Sequence, residues 1–166
     1  FIFYMMGLSI GIHLLNLVTI PALALIYYFK KYKPTPWGVV AAMVASLGII
    51  FFINEIIIPG LPTIAASFEV FFVNSLHLPF GSGAIVFTLM LLGALVWGIM
   101  FTQKNQKVVL NTFLNATAFI LIGYASYALV VIRSSYNPPI DENDPSDVMS
   151  YVSYLKREQY GSRPLL

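Results

Sequence analysis

The sequence predicts an all-α integral membrane protein with about four transmembrane helices, an interfacial helix on the outer side and a C-terminal extracytoplasmic segment. Composition is the first reason. Of 166 residues, 58% are hydrophobic and 10% charged, with a mean hydropathy of +0.81, against roughly 45–50% and about 25% in soluble domains. The second reason is length, because four stretches each supply the roughly 20 mostly apolar residues that a helix needs to cross about 30 Å of hydrocarbon. The third is charge order, since Lys and Arg are concentrated in alternate connections between those stretches. A net charge of +2, scattered over the chain, argues against nucleic acid as a partner. With no cysteine, a disulfide framework, a thiolate nucleophile and a cysteine metal site are excluded.

The first span is expected over residues 12–29, where Gly7, Gly11 and Pro21 divide a longer apolar run. It ends on Lys30, Lys31 and Lys33. The second covers residues 37–58 and is expected to stop at Pro59-Gly60; the third covers 84–101 and the fourth 108–132. Lys30 to Lys33 mark one cytoplasmic loop and Lys104 with Lys107 the other, whereas Pro59 to Gly83 holds neither Lys nor Arg. Everything after Arg133 is therefore expected outside the cytoplasm.

Between spans two and three, residues 62–77 have an apolar face around Ile64, Phe68, Phe71 and Phe72, which predicts an interfacial helix. Packing of that face against neighbouring helices is the alternative. Glu69 and His77 of this connection are expected in solvent. Residues 1–133 thus form the membrane region and 134–166 the outer segment, which holds five of the seven acidic residues. Asn137-Pro138-Pro139 predicts extended chain, followed by a helix over residues 145–160. Asp144 is placed to cap that helix, Pro145 suits its first turn and Gly161 its end. Its apolar stripe of Val148, Tyr151, Val152 and Leu155 needs a partner, either the membrane region or another soluble domain.

Few residues carry chemistry. His13 and Asn16 lie three apart on one helical face, where polar groups serve either as interhelical glue, with Gly7 and Gly11 as a small-residue contact, or as pocket ligands. Glu55 is the single charge expected inside a span; it pairs structurally with Arg133 or lines an outward cavity. Arg133 is an interface anchor or, with Lys156, Arg157 and Arg163, a donor to a lipid phosphate. No metal site is expected, because metal-binding spacings of His and Glu are missing and Asp141, Glu142, Asp144 and Asp147 lack the calcium-loop pattern. Asn115-Ala116-Thr117 matches a glycosylation sequon inside a span. No phosphate loop, nucleophile elbow or triad is visible.

Three stretches carry a resemblance: Gly7 to Pro21, Phe68 to Gly83, and Asn137-Pro-Pro-Ile-Asp-Glu-Asn continuing to Leu-Lys-Arg-Glu-Gln-Tyr-Gly-Ser-Arg-Pro-Leu165. Together they resemble a bacterial multi-pass membrane family, long without assigned function, related to protein O-mannosyltransferase-like glycosyltransferases of the GT-C class. The resemblance implies a sugar transferred from a polyprenyl-phosphate donor to an extracytoplasmic acceptor, a protein. It also implies a catalytic Asp in a first outer loop, which this chain does not display, so the catalytic residue is left unassigned. The lipid-linked sugar is then a substrate, no cofactor is assigned, and divalent metal is not expected. The chain, which opens at Phe1 without Met, reads as an internal piece, inactive alone, of a protein in the bacterial inner membrane. His13, Asn16, Glu55 and Arg133 are the pocket candidates. Expected partners are membrane lipids, the rest of the same polypeptide, a protein acceptor, and a protein docked on the 145–160 helix. Two other classes compete: a non-catalytic membrane subunit of a secretion or envelope complex, and a transporter.

Overall fold

The structure, a computed structural model, describes residues 1–161. It is all-α among those residues, and four helical runs are long and apolar enough to cross a membrane: Leu14–Lys31, Pro36–Asn74, Ser82–Lys104 and Val108–Ser134. The chain is a multi-pass membrane protein.

Helix α1 (Ile2–Ile12) stops at His13, whose backbone is extended. His13 Nδ1 accepts the Leu15 N–H at 3.1 Å and opens a 3₁₀ turn, Leu14–Val18. Helix α2 (Thr19–Lys31) follows, with Pro21 in its first turn, where a missing N–H costs nothing. The break thus falls on a side-chain cap rather than on either glycine. Gly7 has another task. A Cβ there would overlap the Ile120 carbonyl oxygen, and one at Gly123 would overlap the Tyr4 carbonyl. Glycine at both positions lets α1 lie against α6 (Val108–Tyr124) backbone to backbone. Gly7 faces Ile120 to Tyr124 and Gly11 faces Ser126 and Tyr127, so the two helices run parallel and His13 sits at the same end of the bundle as Ser134.

Helices α2 and α3 (Pro36–Phe51) form a hairpin closed by Tyr28, whose hydroxyl accepts the Thr35 N–H at 3.0 Å. Thr35 in turn caps α3 through the Gly38 N–H. Pro59-Gly60 does not end this helix. The backbone widens into π-helical turns over Phe52–Gly60 and continues as α4 (Leu61–Asn74). A proline ring collides with the carbonyl four residues back in an α-helix, and the wider turn relieves that collision at Glu55. Residues 62–77 are consequently no separate interfacial helix. They belong to a 39-residue run whose α4 part buries Ala65, Ala66 and Glu69 and packs on α5 (Ser82–Lys104) and α8 (Val148–Leu155).

Glu69, expected in solvent, is 1% exposed. Its carboxylate accepts the N–H of Gly81 and, at 2.9 Å, that of Ala84, filling donors that the start of α5 leaves open. Gly83 crosses the Glu69 backbone without room for a Cβ. His77 is exposed and left-handed, at φ 52°. At the opposite end, Asn111 Nδ2 donates to Thr102 Oγ1 (2.9 Å) and to the Ile99 carbonyl (3.0 Å), joining α5 to α6. Asn115 lies inside α6 and donates to Asn111.

Past α6, a 3₁₀ turn (Ala125–Ala128) and helix α7 (Leu129–Ser134) lead out of the bundle. The helix expected over residues 145–160 is α8, Val148–Leu155, and is shorter. Asp147 caps it, accepting the N–H groups of Met149 (2.7 Å) and Ser150 (3.0 Å). Asp144 cannot cap, because it is left-handed at φ 40° and its carboxylate accepts from the buried Ser134 hydroxyl. Pro145 is buried before the helix begins, and α8 ends before Arg157, at φ 56°. Gly161 therefore follows a separate 3₁₀ turn, Glu158–Tyr160. The α8 stripe faces the membrane region: Val152 is buried, Leu155 packs on the core around Ile53 and Ile57, and the helix lies on α4.

Candidate functional site

The four residues singled out in the sequence stand apart. His13 and Asn16 are exposed, with Asn16 Nδ2 donating to the Ser9 carbonyl at 3.3 Å across the break. Glu55 is exposed in the π-helical turns, and its hydrogen-bond partner is Asn54 Nδ2 at 2.9 Å rather than Arg133. Arg133 lines a shallow hollow with Pro138, Pro139 and Ile140. Arg163 lies outside the described residues.

What the fold does bring together is a cleft of about 370 Å³ at the end of the bundle where α1 stops. Ile10 and Leu14, on either side of the His13 break, form one wall, with Ile58 of the π-helical turns beside them. Tyr124 and Tyr127 rise from the end of α6, and Tyr154, Arg157, Gln159 and Tyr160 close the cleft from the C-terminal segment. Glu142 completes it and accepts a hydrogen bond from the Tyr160 hydroxyl at 3.0 Å. Glu142 and Tyr154 also border the hollow of Arg133, so the two recesses share a wall.

Four tyrosines build the junction. The sequence holds two copies of Tyr-x-Ser-Tyr, at 124–127 and 151–154, and a three-residue step puts both rings of a pair on one helical face. The pairs meet in register. Tyr124 and Tyr151 hydroxyls are 3.2 Å apart, and the Tyr127 hydroxyl donates to Tyr154 at 3.3 Å. The Tyr127 ring stacks on Tyr124, with centroids 5.8 Å apart, and on Tyr154, at 6.5 Å. Burial pushes the Tyr151 phenol above its ordinary value, so it stays neutral and keeps its hydrogen bond at physiological pH. Tyr151 was expected only as part of an apolar stripe, and the other three were missed in the sequence because aromatic abundance, ten Tyr and thirteen Phe, is explained by packing and interfacial belts. The repeated Tyr-x-Ser-Tyr was the available signal.

The cleft joins apolar ring faces to a guanidinium, a carboxylate and an amide. Such a set fits a ligand with C–H faces and hydroxyl edges, and Arg157 supplies the geometry for an oxyanion. Among the described residues no group of three His, Asp or Glu side chains converges as a metal site would require.

Residues 1–36 match a family model. It is described as the protein O-mannosyl-transferase TMEM260 N-terminal domain. The matched residues are α1, the His13 break, α2 and the turn into α3, and they include the cleft wall formed by Ile10 and Leu14. This similarity relates the chain to O-mannosyltransferase-like membrane proteins. No curated protein and no solved structure matches the chain.

Proposed function

We propose that this chain is part of a membrane glycosyltransferase of the GT-C kind, which moves a sugar from a polyprenyl-phosphate donor to a protein acceptor on the extracytoplasmic face. The bacterial inner membrane is its proposed site, with residues 134–161 outside. One observation carries the reading: the segment similar to an O-mannosyltransferase domain packs on α6 and walls the tyrosine-lined cleft. In this reading Tyr127, Tyr154 and Tyr160 offer ring faces and hydroxyls to the sugar. Glu142 and Gln159 accept and donate at its hydroxyl edge, and Arg157 binds phosphate. His13, Asn16, Glu55 and Arg133 do not line this cleft, and the contacts proposed for them fall outside it. The catalytic carboxylate comes from another part of the same polypeptide.

The test is sugar transfer by the purified full-length protein, followed by mass spectrometry, with polyprenyl-phosphate sugars and a pool of protein acceptors. Arg157→Ala is expected to weaken donor use about 10- to 100-fold, as loss of a charged hydrogen bond does. Donor use unchanged in Arg157→Ala, Glu142→Gln and Tyr154→Ala would remove the cleft from the mechanism. Absence of any transfer, with one partner protein co-purifying in fixed ratio, would replace the reading by a membrane subunit; solute flux in proteoliposomes would replace it by a transporter.

A further inference from the structure

Tyr124 stands between two hollows. The polar cleft lies on one side, and on the other is an apolar crevice of about 270 Å³ between α4, α5 and the end of α6, roofed by Val148 and Tyr151 of α8. Small side chains give the crevice its depth, since Ala65, Ala84, Ala125 and Ala128 line it where larger residues would fill it. Three of its walls belong to helical runs long and apolar enough to cross a membrane. The two hollows differ in chemistry as the two ends of a lipid do: the crevice is lined by Ala, Leu and Phe, and the cleft contains the cation Arg157.

We infer that crevice and cleft are two halves of one site for a membrane-borne amphiphile, and that the Tyr124–Tyr151 hydrogen bond is the gate between them. The occupant is a lipid with a single hydrocarbon chain in the crevice and a phosphate-bearing head at Arg157. The assignment of the head to the cleft rests on the function proposed above. The gate follows from placement. Tyr124 lines both hollows, and its hydroxyl is bonded to Tyr151 of the roof at 3.2 Å. The roof is a discrete unit of eight residues, bracketed by left-handed turns at Asn143 (φ 64°) and Asp144 on one side and Arg157 (φ 56°) on the other. Two phenol pairs hold it down. Lifting α8 by parting Tyr151 from Tyr124 joins the two hollows without unfolding a transmembrane helix.

The chain has no cysteine, so Val152→Cys, placed under α8 where Val152 is buried, reports lifting of the helix. Its reaction with a water-soluble maleimide is followed in full-length protein, otherwise cysteine-free, in lipid vesicles. Tyr124→Phe and Tyr151→Phe, which keep the rings, are each expected to raise the labelling rate about two- to tenfold, the range of one net hydrogen bond. A long-chain isoprenyl phosphate is expected to raise the rate of the protein with both tyrosines, while inorganic phosphate leaves it unchanged. Ala84→Phe, which fills the crevice, is expected to abolish the response to isoprenyl phosphate relative to its own rate without the lipid. Equal labelling with and without the phenol pair overturns the gate; a response to isoprenyl phosphate that survives Ala84→Phe, or follows inorganic phosphate equally, overturns the crevice as the chain site. Sugar transfer is measured separately, so these rates can hold while transfer fails, or fail while transfer holds.

Discussion

The same helix, α6, is met in two ways. Along its length α1 approaches through Gly7 and Gly123, with backbone against backbone and no room for a Cβ. At its end α8 approaches through Tyr124 and Tyr127, with rings stacked and hydroxyls paired. The environments explain the difference. Within hydrocarbon there is little hydrophobic gain from joining two apolar helices, so association depends on close packing over a small-residue contact. At the membrane boundary a tyrosine has an apolar ring to bury and a hydroxyl to satisfy, and a pair of them does both. The first contact is rigid because backbone atoms cannot yield. The second can be parted side chain by side chain.

Breaking the glycine contact should have the largest effect. Gly123→Leu or Gly7→Leu is expected to cost about 3 kcal/mol or more, since overpacking against backbone has no side chain to displace; denaturant titration in detergent measures it. Gly93, where a Cβ meets nothing within 4 Å, is the control: Gly93→Ala should be neutral or gain up to about 1 kcal/mol. Next comes the helix start held by Glu69. Glu69→Ala leaves the N–H groups of Gly81 and Ala84 without their acceptor and is expected to lose about 1–3 kcal/mol, with Glu69→Gln losing less. Stability equal to the parent would show that other groups fill those donors.

The tyrosine contact should respond more weakly. Tyr151→Phe is expected to loosen α8 by about 0.5–1.5 kcal/mol, read by proteolysis of the outer segment. Its pH dependence has a definite sign. Burial raises the Tyr151 phenol in the folded state, so its contribution is complete below the ordinary phenol value of about 10 and declines as pH rises through the folded value. Protection of α8 should fall above about pH 10, and Tyr151→Phe should reduce that fall. The smallest expected change is at the cap: Asp147→Ala removes the acceptor of two α8 N–H groups and costs about 1 kcal/mol or less in a helix already packed on α4.

Local chemistry made several elements legible. The four spans follow from apolar length, and Lys31, Lys104 and Thr35 with Pro36 mark their ends. The proline at 59 was read as a stop because proline normally ends a helix, whereas the neighbouring packing holds the chain helical and the π-helical turns absorb the misfit. Asp144 was expected as the cap from its place before Pro145; the hydrogen bond from Ser134 occupies it, and Asp147 caps instead. Glu69 looked solvated because nothing in its vicinity announces that Gly81 and Ala84 fold back onto it.

By itself the sequence determined that this protein is helical, that it has four segments able to cross a membrane, and that a more polar segment follows the last. Hydrophobic length and charge placement are properties of consecutive residues, so no partner is needed to read them. The cleft, the buried Glu69 and the meeting of two Tyr-x-Ser-Tyr pairs were decided by tertiary structure. Each depends on residues far apart in the chain arriving at one place in a fixed register, and that register is set by the glycine crossing of α1 on α6 and by the return of α8 across the end of the bundle.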